Sequence, residues 1–239
     1  MIAATRRRIY LMRHGAVSYF TPNGLPLPPD DVALNDTGIS QATAAGVLFR
    51  QHAVGFDCVI ASGLPRTIQT AEHVLQTLGQ RLEIETRPQL EEIRAGKLSA
   101  IPVDQLRQSF TEIMDGSATL DTRFLGGETL GAMLDRVLPE IDRIRAEQNW
   151  TSLLMVCHGG VNRGILSYLL SGGKQLLGGF EQNPACINVI DVGHRQRDVV
   201  LRAINLSPTD WLQHSNRTTT METLFGEYVK HRVKHQQGG

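Results

Sequence analysis

The chain has 239 residues, of which 41% are hydrophobic and 20% are charged, and these values are typical of a soluble globular protein. Its 24 Lys and Arg residues balance its 24 Asp and Glu residues, so the formal net charge is zero. This balance argues against a general nucleic-acid or membrane surface, and any anion-binding function must therefore depend on a local cluster.

Cysteine usage and the N-terminal region indicate a cytoplasmic protein. Cys58, Cys157 and Cys186 lie in apolar, strand-like stretches without metal-ligand spacing, so we expect buried, reduced thiols and no metal site. The basic run Arg6-Arg7-Arg8 leads directly into the first predicted strand, with no long apolar segment behind it. We therefore expect neither secretion nor a membrane span.

The first half of the chain alternates strand-like and helix-like patterns. The predicted elements are a strand at 9–12, a helix capped by Asp36 or Thr37, a strand at 56–61, a helix from Pro65 that ends before Gly79, and a short strand at 82–86. Proline suits the first helical turn, and glycine suits the left-handed position after the last one.

Two segments interrupt this alternation. Residues 19–31 contain four prolines and an Asn-Gly pair, which predicts a long loop over the sheet edge that could act as a lid. Residues 94–127 contain a predicted helix at about 103–114 and several glycines. We interpret the second segment as an excursion near the functional site.

The second half predicts a helix at 128–148, a strand at 153–157, a helix at 161–171 and two strands near 186–192 and 199–205. Beyond about residue 212 we expect a polar, solvated tail with one short helix. The whole pattern predicts one α/β domain over residues 1–239, with a three-layer, open, mainly parallel sheet and helices on both faces.

Two predicted strands end in histidine. Arg13-His14-Gly15 follows the apolar strand at 9–12, and His158-Gly159-Gly160 follows the apolar strand at 153–157. The carboxyl ends of parallel strands line the ligand-binding edge of an open α/β sheet, so both histidines should enter one crevice. An imidazole, a guanidinium and unhindered backbone together are suited to attack on phosphorus.

Two further segments carry candidate residues. Arg66 lies in the first turn of the helix that begins at Pro65, where unpaired N–H groups and a guanidinium can bind a phosphoryl group. On this segment alone, a surface ion pair of Arg66 with Glu72 or another acid of the helix is the favoured interpretation. Glu91 and Glu92 follow a predicted strand and offer a carboxyl group.

Six motifs in order resemble the signatures of the histidine phosphatase superfamily, which includes the cofactor-dependent phosphoglycerate mutases. They are Arg13-His14-Gly15, the Leu34-x-x-x-Gly38-x-x-Gln41-Ala42 helix, Ser62-x-x-x-Arg66-Thr67-x-Gln69-Thr70-Ala71, Leu90-x-Glu92-Ile93, Gly126-Gly127-Glu128-Thr129 and His158-Gly159-Gly160-x-x-Arg163. Together they extend from residue 9 to about residue 190. The ordered set is far more specific than any single motif, and it implies a phosphoglycerate mutase-like fold.

The resemblance implies a role for each matching residue. His14 resembles the nucleophile that accepts the phosphoryl group, and Glu92 resembles the proton donor to the leaving oxygen, with Glu91 as the alternative one position away. Arg13, Arg66 and a cationic His158 resemble the phosphate pocket, with Gly159 beside it. Such a pocket neutralises the transferring group without a divalent metal or another cofactor.

The chain departs from the family pattern after Gly15. Family members commonly continue with an acidic residue, Ser or Thr, and an Asn that contacts the phosphate, whereas this chain has Ala16-Val17-Ser18-Tyr19-Phe20. Either Ser18, Asn23 or a backbone N–H of the proline-rich loop replaces the missing ligand, or phosphate binding is weaker than in typical family members. The Gly96-Lys97-Leu98-Ser99-Ala100 run also differs from the Gly-x-Trp-Glu-Gly sequence of many phosphatases.

We therefore expect a phosphomonoester hydrolase that acts through a phosphohistidine on a small phosphorylated metabolite. The alternatives are phosphoryl transfer of the phosphoglycerate mutase type, acid/base chemistry by the two histidines without a covalent intermediate, and a non-catalytic phosphate-binding protein. Cys157 as a nucleophile is disfavoured because strand alternation turns it away from His158. No nucleic-acid or membrane partner is expected, and a homodimer remains open.

Overall fold

A computed structural model describes residues 6–21, 25–114, 118–214 and 216–237. Within these ranges, six strands form one sheet in the order β3-β2-β4-β1-β5-β6. The strands are β1 (Arg7–Arg13), β2 (Cys58–Ala61), β3 (Glu85–Thr86), β4 (Ser152–Cys157), β5 (Ile187–Val192) and β6 (Val199–Leu206).

The sheet is mainly parallel, as the alternating pattern predicts. β1 pairs with β4, β4 with β2 and β2 with β3 in parallel, whereas β5 pairs antiparallel with β1 and β6 pairs antiparallel with β5. The register sets Arg13 opposite Cys157 in the parallel pair. The residues that follow these two positions, His14 and His158, therefore leave the sheet side by side.

Helices cover both faces of the sheet. They are α1 (Asp36–Gln51), α2 (Pro65–Leu78), α3 (Leu106–Thr111), α4 (Leu130–Ala146), α5 (Gly159–Ser171) and α6 (Thr220–Gln237). In the part of the chain that the structure describes, no helix has both the length and the apolar character needed to cross a membrane.

Two apolar clusters hold the layers together. On one face of the sheet, Ile9 of β1 belongs to a cluster with Ile141 of α4 and Ile165 of α5. On the opposite face, Met12 of β1 belongs to a cluster with Phe49 of α1. Successive side chains of a strand point to opposite faces, so one apolar strand serves both clusters. The predicted three-layer arrangement is confirmed.

Several element boundaries differ from the sequence prediction. Asn35, rather than Asp36 or Thr37, caps α1, because its side chain accepts a hydrogen bond from the backbone N–H of Gly38 at 2.9 Å. The strand predicted at 82–86 is reduced to Glu85–Thr86. The helix predicted at 103–114 is α-helical only over Leu106–Thr111, with a 3₁₀ turn on each side.

The prediction of a solvated tail with a short helix is wrong. The 18-residue helix α6 packs on the excursion at 94–127, where Leu106 and Phe110 meet Phe225 and Tyr228. Tyr228 also lies near Phe20 of the proline-rich loop, with ring centroids 6.4 Å apart. The excursion has apolar side chains that are otherwise uncovered, and the C-terminal helix covers them.

Candidate active site

His14 and His158 lie together at the carboxyl edge of the sheet. The backbone N–H of His14 donates to the carbonyl oxygen of Cys157 at 3.0 Å, which extends the β1–β4 pairing by one residue. The two imidazole rings have centroids 5.2 Å apart. Both side chains are buried, with 2% and 0% of their surfaces exposed.

The surroundings of His14 prepare it as a nucleophile. Its Nδ1 lies 2.7 Å from the carbonyl oxygen of Gly15. A carbonyl oxygen only accepts hydrogen bonds, so Nδ1 must carry the proton, and Nε2 retains its lone pair. Burial, together with the charges of Arg13 and Arg66, holds the pKa of His14 well below its ordinary value. His14 is therefore neutral near pH 7.

His158 is also neutral near pH 7. Burial lowers its pKa well below the ordinary value, and nearby His14 and Arg66 lower it further. The cationic form suggested by the sequence is therefore disfavoured without a ligand. Its Nε2 lies 2.8 Å from the hydroxyl of Ser62, and its Nδ1 is buried without a hydrogen-bond partner among the described residues.

Arg66 lies in the first turn of α2 and is buried. Its NH1 group donates to the carbonyl oxygen of Pro29 at 2.6 Å. A surface pairing of Arg66 with Glu72 is thus wrong, because the guanidinium points inward toward the two histidines. Through the carbonyl oxygen of Pro29, the proline-rich loop contacts Arg66.

Arg13 connects the histidine pair to the C-terminal helix. Its NH1 group donates to the carbonyl oxygen of Gln182 at 2.5 Å and to the hydroxyl of Thr220 at 2.9 Å. Thr220 is the first residue of α6. Sequence reasoning missed both partners, because Thr220 lies 207 residues away in a segment with no local motif.

The Glu92 carboxylate lies against the N-terminus of α5. It accepts hydrogen bonds from the backbone N–H groups of Gly160 at 3.2 Å and Val161 at 3.3 Å. A Cβ atom on Gly160 would lie only 2.7 Å from the Glu92 Oε1 atom, so this contact requires glycine. Glu91 instead contacts Arg94 at the surface, at 3.5 Å.

Arg136 of α4 fixes the backbone around Glu92. Its guanidinium donates to the carbonyl oxygens of Gln89, Glu91 and Glu92 at 2.6 to 2.9 Å. A salt bridge with Glu128 at 3.0 Å orients it. This role could not be inferred from the sequence, because an isolated arginine on a helix is usually a surface residue.

The remaining predicted ligands have different positions. Gly159 begins α5, and a Cβ atom on it would lie 3.5 Å from the Nε of Arg13, so it borders the pocket. Ser18 is exposed and accepts a hydrogen bond from the Asn35 side chain at 3.2 Å. No described contact joins Ser18 to His14 or its arginines. Asn23 lies outside the described residues.

An open cleft adjoins this pocket, and Arg13 and Gly159 are among the residues that line it. Its polar walls include Arg13, Glu92, Arg163 and Glu181, and its apolar walls include Phe124 and Met221. Arg13, whose charge acts on His14, is thus shared between the histidine pocket and the cleft.

Among the residues that the structure describes, neither the cysteines nor the side chains that commonly bind metals form a second site. Cys157 is buried in the core, and burial raises the pKa of its thiol strongly, which disfavours a thiolate nucleophile. Burial also raises the pKa of Cys58 to about 11 and of Cys186 to about 12. Over the described ranges, no group of three or more His, Cys, Asp or Glu side chains could hold a metal ion.

Comparison with known proteins agrees with this geometry. The sequence profile of the histidine phosphatase superfamily (branch 1) matches residues 9–205. The adenosylcobalamin/alpha-ribazole phosphatase of Escherichia coli is 28% identical over 203 residues, which cover 83% of this chain and 95% of that protein. A 2,3-bisphosphoglycerate-dependent phosphoglycerate mutase of Bartonella tribocorum is 35% identical over 107 residues, which cover 44% of this chain and 52% of the mutase.

A solved structure shows the same fold. The phosphoglycerate mutase of Bacillus anthracis superposes with a TM-score of 0.64 at 19% identity, over 89% of this chain and 98% of that one.

Proposed function

The chain belongs to the histidine phosphatase superfamily, and we propose that it is a phosphomonoester hydrolase in which His14 carries the phosphoryl group. This proposal is based mainly on the burial, the protonation state and the charged surroundings of His14. It is buried and neutral, it has its Nδ1 proton bound to Gly15, and it lies in the field of Arg13 and Arg66. An imidazole with a free Nε2 lone pair among cations is suited to attack a phosphate dianion.

In the first step, the Nε2 of His14 forms a bond to phosphorus while the bond from phosphorus to the leaving oxygen breaks. The leaving oxygen takes the electron pair and receives the proton of Glu92, which enters this step as a carboxylic acid and leaves it as a carboxylate. In the second step, a water oxygen attacks phosphorus and Glu92 takes up the proton of that water. The phosphorus–nitrogen bond then breaks, and its electron pair returns to His14 as inorganic phosphate leaves.

The pocket cations stabilise the charge on the phosphoryl oxygens in both steps. Arg13 and Arg66 offer guanidinium donors, and a bound phosphate dianion also favours protonation of His158, whose Nδ1 has no other partner in the described structure. Since these donors act in place of a Lewis acid, the reaction should proceed without a divalent metal. Activity is expected to survive exhaustive chelation, and loss of activity that added Mg²⁺ or Zn²⁺ restores would contradict this mechanism.

Phosphoglycerate mutase activity is the second candidate, because two of the proteins compared above carry that name. Coverage does not separate the two activities, since the matches span 95% of the Escherichia coli phosphatase and 98% of the Bacillus anthracis mutase. Hydrolysis is favoured because the chain has Ala16-Val17-Ser18-Tyr19-Phe20 after Gly15, where a mutase resemblance would require Glu-Ser-x-Trp-Asn.

One assay separates the two activities. The protein is supplied with 3-phosphoglycerate and catalytic 2,3-bisphosphoglycerate, and both 2-phosphoglycerate and free phosphate are followed. We expect phosphate release to exceed interconversion. The opposite ratio would show a mutase.

A second assay separates an enzyme from a phosphate-binding protein. Wild type is expected to hydrolyse p-nitrophenyl phosphate, and His14→Ala is expected to fall to background. His52→Ala is the matched control, because His52 is exposed at the end of α1. Absence of hydrolysis by the folded wild type would favour the non-catalytic alternative.

A further inference from the structure

The guanidinium of Arg13 is anchored through one of its nitrogens. NH1 carries two N–H groups, and it has two acceptors, the carbonyl oxygen of Gln182 at 2.5 Å and the hydroxyl of Thr220 at 2.9 Å. The charge of Arg13 acts on His14, so the direction of this guanidinium matters to the histidine pocket. The two acceptors at NH1 set that direction.

The two acceptors belong to different parts of the fold. Gln182 is buried, and its side chain donates to Asn188 of β5, which in turn donates to the carbonyl oxygen of Leu11 in β1. The Gln182 carbonyl is therefore tied to the sheet. Thr220 is the first residue of α6, whereas the superfamily profile matches residues 9–205 and assigns nothing to this helix.

The Thr220 hydroxyl lies between Arg13 and the Glu181 carboxylate. A guanidinium only donates and a carboxylate only accepts, so the hydroxyl accepts from Arg13 and donates to Oε1 of Glu181 at 2.9 Å. The backbone N–H of Thr220 donates to Oε2 of the same carboxylate at 3.2 Å. The two opposite charges thus meet through a neutral hydroxyl and not in a direct ion pair.

A direct pair of Arg13 with Glu181 would change the pocket. A carboxylate binds a guanidinium in a strong, charge-assisted pair, and it would compete with a phosphoryl group for the same donors. Both side chains line the same cleft, so such a pair is within reach if the hydroxyl is removed. A hydroxyl, by contrast, fixes the guanidinium without cancelling its charge.

We propose that Thr220 is a positioning residue, which holds the Arg13 guanidinium in the histidine pocket and keeps it apart from Glu181. This inference rests on the function proposed above, in which Arg13 binds the phosphoryl group. It gives α6 a part in phosphate binding, in addition to covering the apolar residues of the excursion.

The first test measures the binding of orthovanadate by calorimetry, which requires no turnover. Thr220→Val keeps the shape of the side chain and removes the hydroxyl, and it should bind vanadate about tenfold more weakly, the lower end of the range for a hydrogen bond to a charged group. Thr220→Ser keeps the hydroxyl and should bind as wild type does. Thr223→Val is the matched control, because the exposed Thr223 hydroxyl bonds only within residues 218–223.

A second variant separates positioning from a loss of stability. Glu181→Gln, added to Thr220→Val, removes the charge that competes for Arg13 and should restore most of the vanadate binding. A merely structural role of Thr220 predicts the opposite, because the added change also weakens the contact of Glu181 with the start of α6. With p-nitrophenyl phosphate, Thr220→Val should raise KM, whereas a smaller folded fraction would lower only the apparent kcat.

The outcomes distinguish this inference from the proposed function. Wild-type vanadate binding in Thr220→Val, an equal loss in Thr220→Ser, or a loss that Glu181→Gln does not restore overturns the positioning role. Each of these results does so even when hydrolysis of p-nitrophenyl phosphate depends on His14. Vanadate binding that depends on Thr220 without any hydrolysis by wild type would overturn the phosphatase function alone, and a wild type that binds no vanadate would overturn both.

Discussion

Arg66 donates a hydrogen bond to the main-chain carbonyl oxygen of Pro29, 2.6 Å away, and so ties the proline-rich loop to the phosphate pocket. A carbonyl oxygen is neutral, whereas a phosphate oxygen is charged and forms a stronger bond with a guanidinium. The Nε of Arg66 has no hydrogen-bond partner among the described residues, so a phosphoryl group at His14 and the Pro29 carbonyl oxygen can bind the same guanidinium together. The loop position and the occupancy of the pocket should depend on each other.

Arg66→Ala should affect the pocket and the loop together. We expect vanadate to inhibit this variant about tenfold to a hundredfold more weakly than wild type, because a charge-assisted hydrogen bond is lost. Hydrogen exchange of residues 25–31 should also become faster. Arg50→Ala is the control, since Arg50 is an exposed residue that bonds only to the carbonyl oxygen of Thr77 among the described residues. Unchanged inhibition by vanadate in Arg66→Ala would contradict the role of Arg66.

The sequence predicted the parts of the site that depend on local patterns. His14 and His158 each follow an apolar strand, and strand ends of a parallel sheet meet at one edge, so their proximity could be inferred. Arg66 could be assigned only through the family resemblance. The inward direction of the Arg66 side chain depends on the pocket and on Pro29. The sequence around Arg66 does not reveal either contact.

Contacts between distant segments could not be inferred in the same way. Thr220 meets Arg13, and Arg136 holds the backbone of Glu92, but both depend on how whole helices pack. The same reason explains the wrong prediction for the C-terminal segment. Its polar composition suggested a solvated tail, whereas the apolar residues of α6 have a partner only once the excursion is folded.

A phosphorylated intermediate should be detectable on His14. Brief incubation with substrate and a rapid quench should leave a phosphoryl label that is labile in acid and stable in base, as expected for a phosphorus–nitrogen bond. His14→Ala should carry no label, and His52→Ala should carry the wild-type amount. A label on another residue would show that the nucleophile is misassigned.

Glu92→Gln should separate substrates by their leaving groups. Without the proton donor, kcat for alkyl phosphates should fall by about 10²- to 10⁴-fold, the usual contribution of a general acid. Hydrolysis of p-nitrophenyl phosphate should fall much less, because its phenolate leaves without a proton. Glu91→Gln is the control, since Glu91 contacts Arg94 at the surface. Equal losses on both substrates would point to Glu91 or His158 as the acid.

Arg136→Lys should reproduce, in a weaker form, the dependence on the leaving group that is expected for Glu92→Gln. A lysine retains the charge but cannot bond to three carbonyl oxygens and Glu128 at once, so the Glu92 carboxyl group should lose its fixed position. We expect kcat for alkyl phosphates to fall more than kcat for p-nitrophenyl phosphate. Arg143→Lys, at an exposed position of α4, is the matched control. An equal fall on both substrates would show a general structural effect.

The two buried histidines should make the stability of the protein depend on pH below about 6.5. Both have a pKa in the folded state well below the ordinary value of 6.5, mainly because they are buried. Above pH 6.5, both histidines are neutral in the folded and unfolded chains, so their contribution is complete. As the pH falls below 6.5, the unfolded chain binds protons that the folded protein does not, and the free energy of unfolding decreases.

Each histidine can contribute a slope of up to about 1.4 kcal/mol per pH unit. Urea unfolding between pH 7.5 and 5.0 measures this slope. The window avoids the titration of Asp191 and Glu128, because their ordinary pKa values are 3.8 and 4.5 and the folded protein lowers both pKa values further. His158→Gln should reduce the slope by about half, because one of the two groups is removed, while exposed His52→Gln should leave it unchanged. A free energy of unfolding that stays constant from pH 7 to pH 5 would show that His14 and His158 titrate normally. His14 would then be partly protonated near neutral pH, and the protonated fraction could not attack phosphorus.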